Sequence, residues 1–311
     1  MSKLKGVLLM AYGTPRNLDE VEPYYRDILR GREPRPEAVA ELTERYRRVG
    51  GKTPLLEITR KTADLLGERL NRGGDSWRNY VGMKHWRPYI AETVEQIVAD
   101  GVEELVATVL APHYSRGSIA EYQGMVVSSL EGAATPRATR FIESWHANPL
   151  FIQLIARRIQ EGLALFDANP ADVEVLFTAH SLPARILESG DPYPDELRRS
   201  ADAVADAAGV ASWRFSYQSA GKTGMAWLGP DILDSIEAIA DEGGRNILVA
   251  PFGFVCDHLE ILFDVDIEAK DKAATLGVNL RRIEMPNDSP EFIEVLHDLV
   301  ATGEGARAVD L

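Results

Sequence analysis

Glu260, Asp264 and Glu268 stand four residues apart in the segment Asp257-His258-Leu259-Glu260-Ile261-Leu262-Phe263-Asp264-Val265-Asp266-Ile267-Glu268. On an α-helix that spacing lays three carboxylates along one face, with a small drift at each step. Like charges so placed destabilise a bare helix. A row of them therefore belongs either on a solvated face or where cations are held or passed. Leu259, Ile261, Leu262, Phe263 and Ile267 lie between them and are too apolar for a helix lying in water. The row also follows an apolar run, Ile247 to Phe254, that reads as a buried strand. Open α/β sheets place their sites at the carboxyl ends of strands. Both features count against the solvated face and for a cation-handling row.

The chain also repeats itself. Residues 7–15 read Val-Leu-Leu-Met-Ala-Tyr-Gly-Thr-Pro and residues 175–183 read Val-Leu-Phe-Thr-Ala-His-Ser-Leu-Pro, sharing Val, Leu, Ala and Pro at a constant offset. Leu110-Ala111-Pro112-His113 and Val249-Ala250-Pro251-Phe252 form a looser pair. So long a period is not that of a solenoid unit. It predicts a duplicated α/β domain with a cleft between the halves. After the shared Ala, one half presents Tyr12 and the other His180, two protic side chains at equivalent strand tips.

The elements that must position these residues alternate between strand and helix. Strands are predicted near 6–11, 79–83, 104–110 and 139–143, and again near 173–178, 212–217, 246–251 and 278–282. Helices are predicted near 19–30, 36–48, 55–71, 88–100, 117–130, 148–165, 194–207, 230–242, 257–272 and 290–301. Such alternation means parallel sheets covered by helices. The domain boundary falls around 144–150, where Asn148-Pro149 opens a long helix. Gly51-Lys52-Thr53 and Gly221-Lys222-Thr223 imitate the end of a phosphate loop. The first glycine each would need is replaced by Tyr46 or Ser216, so neither qualifies. No G-x-G-x-x-G follows the first strand, and no G-x-S-x-G occurs. His85, His113, His146 and His297 are singletons and read as structural.

At 311 residues the chain can hold two domains of ordinary size. Met1-Ser2-Lys3-Leu4-Lys5 leads directly into a strand, so no signal peptide is expected and the expected compartment is the cytoplasm. No apolar run approaches the roughly 18 residues of a membrane span. A formal charge of −14 argues against nucleic acid, whose phosphates demand basic patches, and suits a cationic substrate. The single cysteine, Cys256, excludes an internal disulfide framework and a self-contained thiolate cluster. One stretch runs against the overall charge. From Arg26 to Lys52 eight basic residues face five acidic ones, a local net of +3. It is either an ordinary charged helical hairpin or a receptor for carboxylates or phosphates, which arginine forks match.

Four separated motifs carry a resemblance. Ala11-Tyr12-Gly13-Thr14-Pro15, Ala179-His180-Ser181-Leu182-Pro183, Trp227-Leu228-Gly229-Pro230 and Phe254-Val255-Cys256-Asp257-His258-Leu259-Glu260 together resemble the ferrochelatase family. The likeness runs from Gly6 to about Leu299. It implies an α/β fold of two Rossmann-like, chelatase-like domains, each a four-stranded parallel sheet flanked by helices, with a porphyrin cleft between them. Their expected extents are 1–145 and 146–289, with the C-terminal helix, about 290–311, packing on the first. The activity implied is insertion of Fe(II) into a porphyrin. Tyr12-Gly13-Thr14-Pro15 is similar to the bacterial branch that uses coproporphyrin III and makes coproheme.

Carried over by position, His180 and Glu260 match the pair that faces the porphyrin centre and takes the incoming metal. Tyr12 matches the tyrosine of the opposite face, which can ligate iron in the product. Arg45, Tyr46, Thr53 and Tyr122 match residues that hold propionates, and Thr14 and Arg30 are counted with them as substrate contacts. Asp264 and Glu268 match outer acidic positions that take a second, hydrated divalent cation. Thr53 stands where serine is common and keeps the hydroxyl. Leu29 stands where that branch often has arginine, so one propionate contact is lost or passes to Arg30. With Cys256 alone, no iron–sulfur cluster is expected. No cofactor is required, since Fe(II) and coproporphyrin III are the substrates. Transient contact with neighbouring enzymes of heme synthesis is also expected.

The residue types suit this chemistry. Two pyrrole N–H protons must leave as Fe(II) enters, and histidine titrates near working pH. Imidazole and carboxylate suit Fe(II) without trapping it as thiolates would. A π-turn in the acidic helix would bring its three carboxylates into better line. Rival readings are a protoporphyrin IX ferrochelatase, a cobalt or nickel chelatase, and a heme carrier on the same fold. A sugar- or ion-binding protein is the rival outside the resemblance. His180 and Glu260 together favour catalysis, since a carrier needs only one axial ligand.

Overall fold

The computed structural model describes residues 3–74, 76–221 and 224–309. Lys222 and Thr223 of the rejected loop motif lie outside them, with Met1, Ser2, Asp75, Asp310 and Leu311. The chain divides into two compact units, residues 1–145 with 287–311 and residues 146–286. Among the described residues the strands are β1 (Lys5–Ala11), β2 (Trp77–Met83), β3 (Glu104–Val109), β4 (Ala138–Ile142), β5 (Glu174–His180), β6 (Trp213–Gln218), β7 (Asn246–Ala250), β8 (Asn279–Arg282) and β9 (Ala306–Val309).

In the first unit the sheet order is β2-β1-β3-β4-β9, and in the second β6-β5-β7-β8. The duplication legible in the sequence is thus a duplication of topology: β1 and β5 each lie between the next two strands of their unit. Both are inner strands of parallel pairings. Helices cover both faces of such strands, which is why they are apolar throughout rather than alternating. Val7, Leu8, Leu9 and Met10 are fully buried, as are Val175, Leu176, Phe177 and Ala179.

Two features depart from the predicted elements. The first unit's sheet has a fifth strand, β9, antiparallel to β4. Its short Ala-Arg-Ala-Val run carries no apolar signature, because it pairs at a sheet edge. Gly305 makes the approach. It has φ +66, and a Cβ there would lie 2.0 Å from the Ser144 carbonyl oxygen. The second departure is the helix predicted over 257–272. It is a π-helix over Glu260–Ala269 that continues as an α-helix over Lys270–Thr275. The Lys270 N–H reaches back to the Val265 carbonyl, five residues away.

Local chemistry explains the units' edges. Asn148 caps the helix Pro149–Leu163, its side-chain oxygen accepting from the N–H groups of Leu150 and Phe151 at 3.0 and 3.2 Å. Proline follows at the first helical position, where its missing N–H costs nothing. The helix Pro290–Thr302 packs in the first unit against the helix Leu55–Asn71, where Arg69 pairs with both oxygens of Glu294 at 2.7 and 3.0 Å.

Candidate active site

His180 is the last residue of β5, and Glu260 opens the π-helix that follows the neighbouring strand β7. Parallel neighbours bring their carboxyl ends together, so residues 80 apart in sequence meet. His180 Nδ1 lies 2.9 Å from Glu260 Oε2. The two side chains remain 34% and 30% exposed, which leaves the pair open to a reactant. Burial opposes charge on His180. The carboxylate of Glu260, its hydrogen bond and the carboxylate of Asp264 outweigh that and raise the imidazole pKa above its ordinary value.

The motif residues hold this pair. Gly253 lets the turn after β7 pass β5 closely, since a Cβ there would lie 2.5 Å from that of Ala179. Cys256 is buried, and burial pushes its thiol up to about 12. Asp257 pairs at 2.8 Å with Arg282, which also binds both oxygens of Asp266 on the π-helix. His258 Nδ1 accepts the Glu260 N–H at 3.1 Å, and its pKa is lowered chiefly by burial. On the β5 side, Ser181 donates to the Leu228 carbonyl at 2.8 Å, and the Leu228 N–H donates to Leu182 at 2.9 Å. That clasp sets the Trp227 ring edge-on to His180, 6.4 Å between centroids. The Trp-Leu-Gly-Pro motif is therefore part of the His180 support.

The acidic row differs in exposure, with its middle member the most buried. Glu260 is partly buried, Asp264 is 4% exposed, and Glu268 is exposed. Ser219, at φ 63 just past β6, donates its hydroxyl to Asp264 in a short hydrogen bond. Among the described residues no group of three or more His, Cys, Asp or Glu side chains is gathered to hold a metal.

In the first unit, Tyr12 stands 43% exposed at the tip of β1. Its ring lies 4.6 Å from that of His85. His85 Nδ1 lies 2.8 Å from Asp27, and its backbone N–H donates to the Tyr12 carbonyl at 2.9 Å. Burial lowers the His85 pKa against the pull of Asp27. Thr14, Tyr46 and Thr53 are brought together and buried. The Thr14 hydroxyl lies 2.8 Å from that of Thr53 and 3.3 Å from that of Tyr46. Arg45 precedes Tyr46 at the end of the helix Pro36–Arg48 and is half-buried.

Arg30 and Tyr122, the other two expected substrate contacts, lie outside this hydroxyl cluster. Arg30 is exposed, at φ 55, and reaches Glu121 at 3.3 Å. Tyr122 is 4% exposed in the core cluster with Ile119 and Val126. Glu121 connects them indirectly: it also accepts from Lys84 at 2.6 Å, and the Lys84 ammonium sits 5.1 Å above the Tyr122 ring.

Sequence reasoning missed Gln218, Ser219 and Tyr193. The Tyr193 hydroxyl donates to the His180 carbonyl at 2.9 Å, and its pKa is raised by burial first and then by the acidic groups Tyr217, Glu260 and Asp191. Only Tyr193 stood near a visible signal, in the proline-rich turn Gly190-Asp191-Pro192-Tyr193-Pro194.

Two α/β units, one with a histidine–carboxylate pair at adjoining strand ends, make up an architecture of chelatase type. Comparison with known proteins makes the class specific. The sequence profile of the Ferrochelatase family matches residues 4–304, and the chain belongs to that family. It is 50% identical over 98% of its length to a protein named Ferrochelatase from Herpetosiphon aurantiacus, all of whose length is covered. It is 43% identical to one named Coproporphyrin III ferrochelatase from Anoxybacillus flavithermus, over 96% of each chain. A solved structure of SirB from Bacillus subtilis with Fe3+ shares the fold, at a TM-score of 0.56 and 10% identity, over 97% of this chain and 98% of that one.

Proposed function

We propose that this enzyme inserts Fe(II) into coproporphyrin III to give coproheme. The observation that carries the reading is the 2.9 Å contact of His180 Nδ1 with Glu260. With Nδ1 so engaged, Nε2 is the ring nitrogen that meets the reactants. Metal insertion releases two pyrrole protons for one Fe(II). His180 accepts the first on Nε2, Glu260 sharing the positive charge until that proton passes outward, and the Glu260 carboxylate accepts the second. Both side chains also serve as transient ligands that release the iron to the four pyrrole nitrogens. Asp264 and Glu268 relay protons outward or draw divalent cations inward. Tyr12 acts as the ligand to product iron.

The tetracarboxylate substrate is supported by the name of the Anoxybacillus flavithermus relative and by two features of the first unit. One is the hydroxyl cluster of Thr14, Tyr46 and Thr53, with Arg45 preceding Tyr46 in the chain. The other is the local excess of basic residues from Arg26 to Lys52. Arginine and hydroxyl donors match carboxylates. Arg30 is exposed, and release from Glu121 would free it for a propionate. Tyr122 acts from beneath, by holding Lys84. No resident cofactor is required: an iron–sulfur cluster needs several thiolates, and this chain has one buried cysteine. No helix of the described residues is long and apolar enough to cross a membrane. The proposed reaction runs in the cytoplasm, in transient contact with the enzymes that supply the porphyrin and consume coproheme.

The deciding experiment offers coproporphyrin III and protoporphyrin IX separately with anaerobic Fe(II). A higher kcat/KM for the tetracarboxylate is expected. Equal or reversed values would remove the branch assignment and leave a protoporphyrin ferrochelatase. No turnover with either, despite tight heme binding, would favour a carrier.

A further inference from the structure

Gln218 ends β6 directly beside His180 at the end of β5, the two being register partners. Its side chain is completely buried, and a buried amide must have both ends bonded. The Glu260 backbone carbonyl can only accept, so the Gln218 atom 3.0 Å from it is the donor Nε2. The other end, Oε1, then accepts from the Thr178 hydroxyl at 2.8 Å. The Gln218 backbone carbonyl accepts the Ser181 N–H, also at 2.8 Å. Thr178 lies two residues before His180 and Ser181 one after it. A single residue thus ties the strand on both sides of His180 to the first residue of the π-helix. The next residue, Ser219, donates its hydroxyl to the Asp264 carboxylate.

We propose that Gln218 is the positioning residue of the metal-insertion pair, fixing the separation of His180 and Glu260 through its bonds to Thr178, Ser181 and Glu260. The proposal rests on the function assigned to that pair above. The need for such a residue is physical. The His180 and Glu260 side chains are each about a third exposed, so packing alone confines them weakly. Their separation is then set by where their backbones are held, and Gln218 bonds to both segments. An incoming Fe(II) would pull imidazole and carboxylate toward itself. The clamp keeps both within reach of one ion without letting them close into a tight chelate. Gln218 touches no reactant, so its effect should appear in kcat rather than in porphyrin binding.

The test uses Thr178→Val and Gln218→Met in the full chain. The first removes one hydroxyl at constant shape and leaves the amide without its orienting donor. The second fills the volume without the bond to Glu260. Wild type and both variants are compared for kcat, porphyrin KM, thermal midpoint and amide hydrogen exchange of residues 260–265 before any substrate is added. Gln218→Met should lower kcat by about 10- to 100-fold, the scale of a displacement near 1 Å, with porphyrin KM nearly unchanged and faster exchange at the start of the π-helix. Thr178→Val should act in the same direction but less. The double variant should cost no more than Gln218→Met alone, because Thr178 acts through Gln218. If Gln218→Met does not fold, the kcat and exchange of Thr178→Val decide the matter. A lowered thermal midpoint with kcat unchanged in the folded protein would reduce Gln218 to core structure and overturn the proposal. Wild-type protein that metallates no porphyrin would instead overturn the functional reading, and this role with it.

Discussion

At the tip of β1, Tyr12 stands half-exposed over His85, and the residues after it lead to a buried cluster of neutral hydroxyls, Thr14, Tyr46 and Thr53. At the tip of β5, His180 meets a carboxylate, and the residues after it are clasped by the Trp227-Leu228 segment. The framework is the same: a strand between two parallel neighbours, ending in Ala, a protic residue and a turn to proline. What differs is the charge supplied from the neighbouring strand. The β7 side of the second unit adds Glu260 and Asp264, which keep His180 prone to protonation. The β1 tip has beside it His85, whose pKa burial lowers. On the function proposed above, one tip would move protons and cations, and the other would offer a phenol and bind carboxylates. A duplicated scaffold fixes where a side chain is presented, and the adjoining segment decides its chemistry.

The comparison is broken most severely at β5. His180→Ala should reduce metallation by about 10³-fold or more while porphyrin still binds, since it removes proton acceptor and iron ligand together. Glu260→Gln keeps the shape and should lower kcat by about 10²-fold. Steady-state kinetics beside a porphyrin-binding titration separate the two effects. Near-wild-type turnover in His180→Ala would mean that the catalytic wall is elsewhere.

The same pair gives a pH signature. His180 must be neutral to accept a proton, and Glu260 raises its pKa. The acid limb of the kcat profile should therefore move to lower pH in Glu260→Gln. The stability effect has the matching sign. A raised histidine pKa contributes stability that is full below the unfolded value and is lost as pH rises through the folded one. Glu260→Gln should thus destabilise the ligand-free protein more near pH 6 than near pH 8.5, around the ordinary histidine value of about 6.5. Denaturant titrations at the two pH values check this. An equal loss at both would show that the pair does not hold the proton.

At β1 the expected effects are smaller. Arg45→Ala should raise porphyrin KM about 10-fold with little change in kcat, as loss of a charged hydrogen bond in binding does. A collapsed kcat at unchanged KM would show that Arg45 is no carboxylate clamp. Tyr12→Phe should cost far less than the ~10²-fold of a lost acid–base group. It should nevertheless change the absorption spectrum of bound product, where a phenolate is expected on the iron. An unchanged spectrum would leave the β1 tip a binding wall only.

What was legible in the sequence was whatever lay within one element or at one element's end. The buried strands announce themselves as apolar runs, and the strand-end location of His180 and Glu260 follows from them. The spacing of the acidic row identifies a helix but not its winding, because the π-turn depends on anchors outside it. Arg282 on β8 grips Asp257 and Asp266, and Gln218 on β6 grips Glu260. Those anchors join residues 16 to 42 positions apart, and a polar residue closing a strand looks like any strand end. Tyr122 shows the opposite difficulty. Position in the sequence names it as an expected substrate contact, but not that its side chain is buried among Ile119 and Val126 with the Lys84 ammonium over its ring. β9 was hidden because edge pairing requires only backbone groups.

The smallest effects are expected along the acidic row, and the structure separates its outer members. Asp264 is buried, bonded by Ser219, and adds to the charge that raises the His180 pKa. Glu268 is exposed, and water screens an exposed carboxylate. Asp264→Asn should therefore lower kcat modestly, by less than Glu260→Gln, and move the acid limb in the same direction. Glu268→Gln should act only through the supply of cations. Its loss should be visible at low Fe(II), vanish as Fe(II) is raised, and shrink in high salt. A metal titration of both variants at fixed porphyrin measures this directly. If Glu268→Gln matches wild type at every Fe(II) concentration while Asp264→Asn does not, the row ends at Asp264 and Glu268 is solvated surface. If neither differs from wild type, the cation path does not follow this helix, and Glu260 alone distinguishes the β5 tip from the β1 tip.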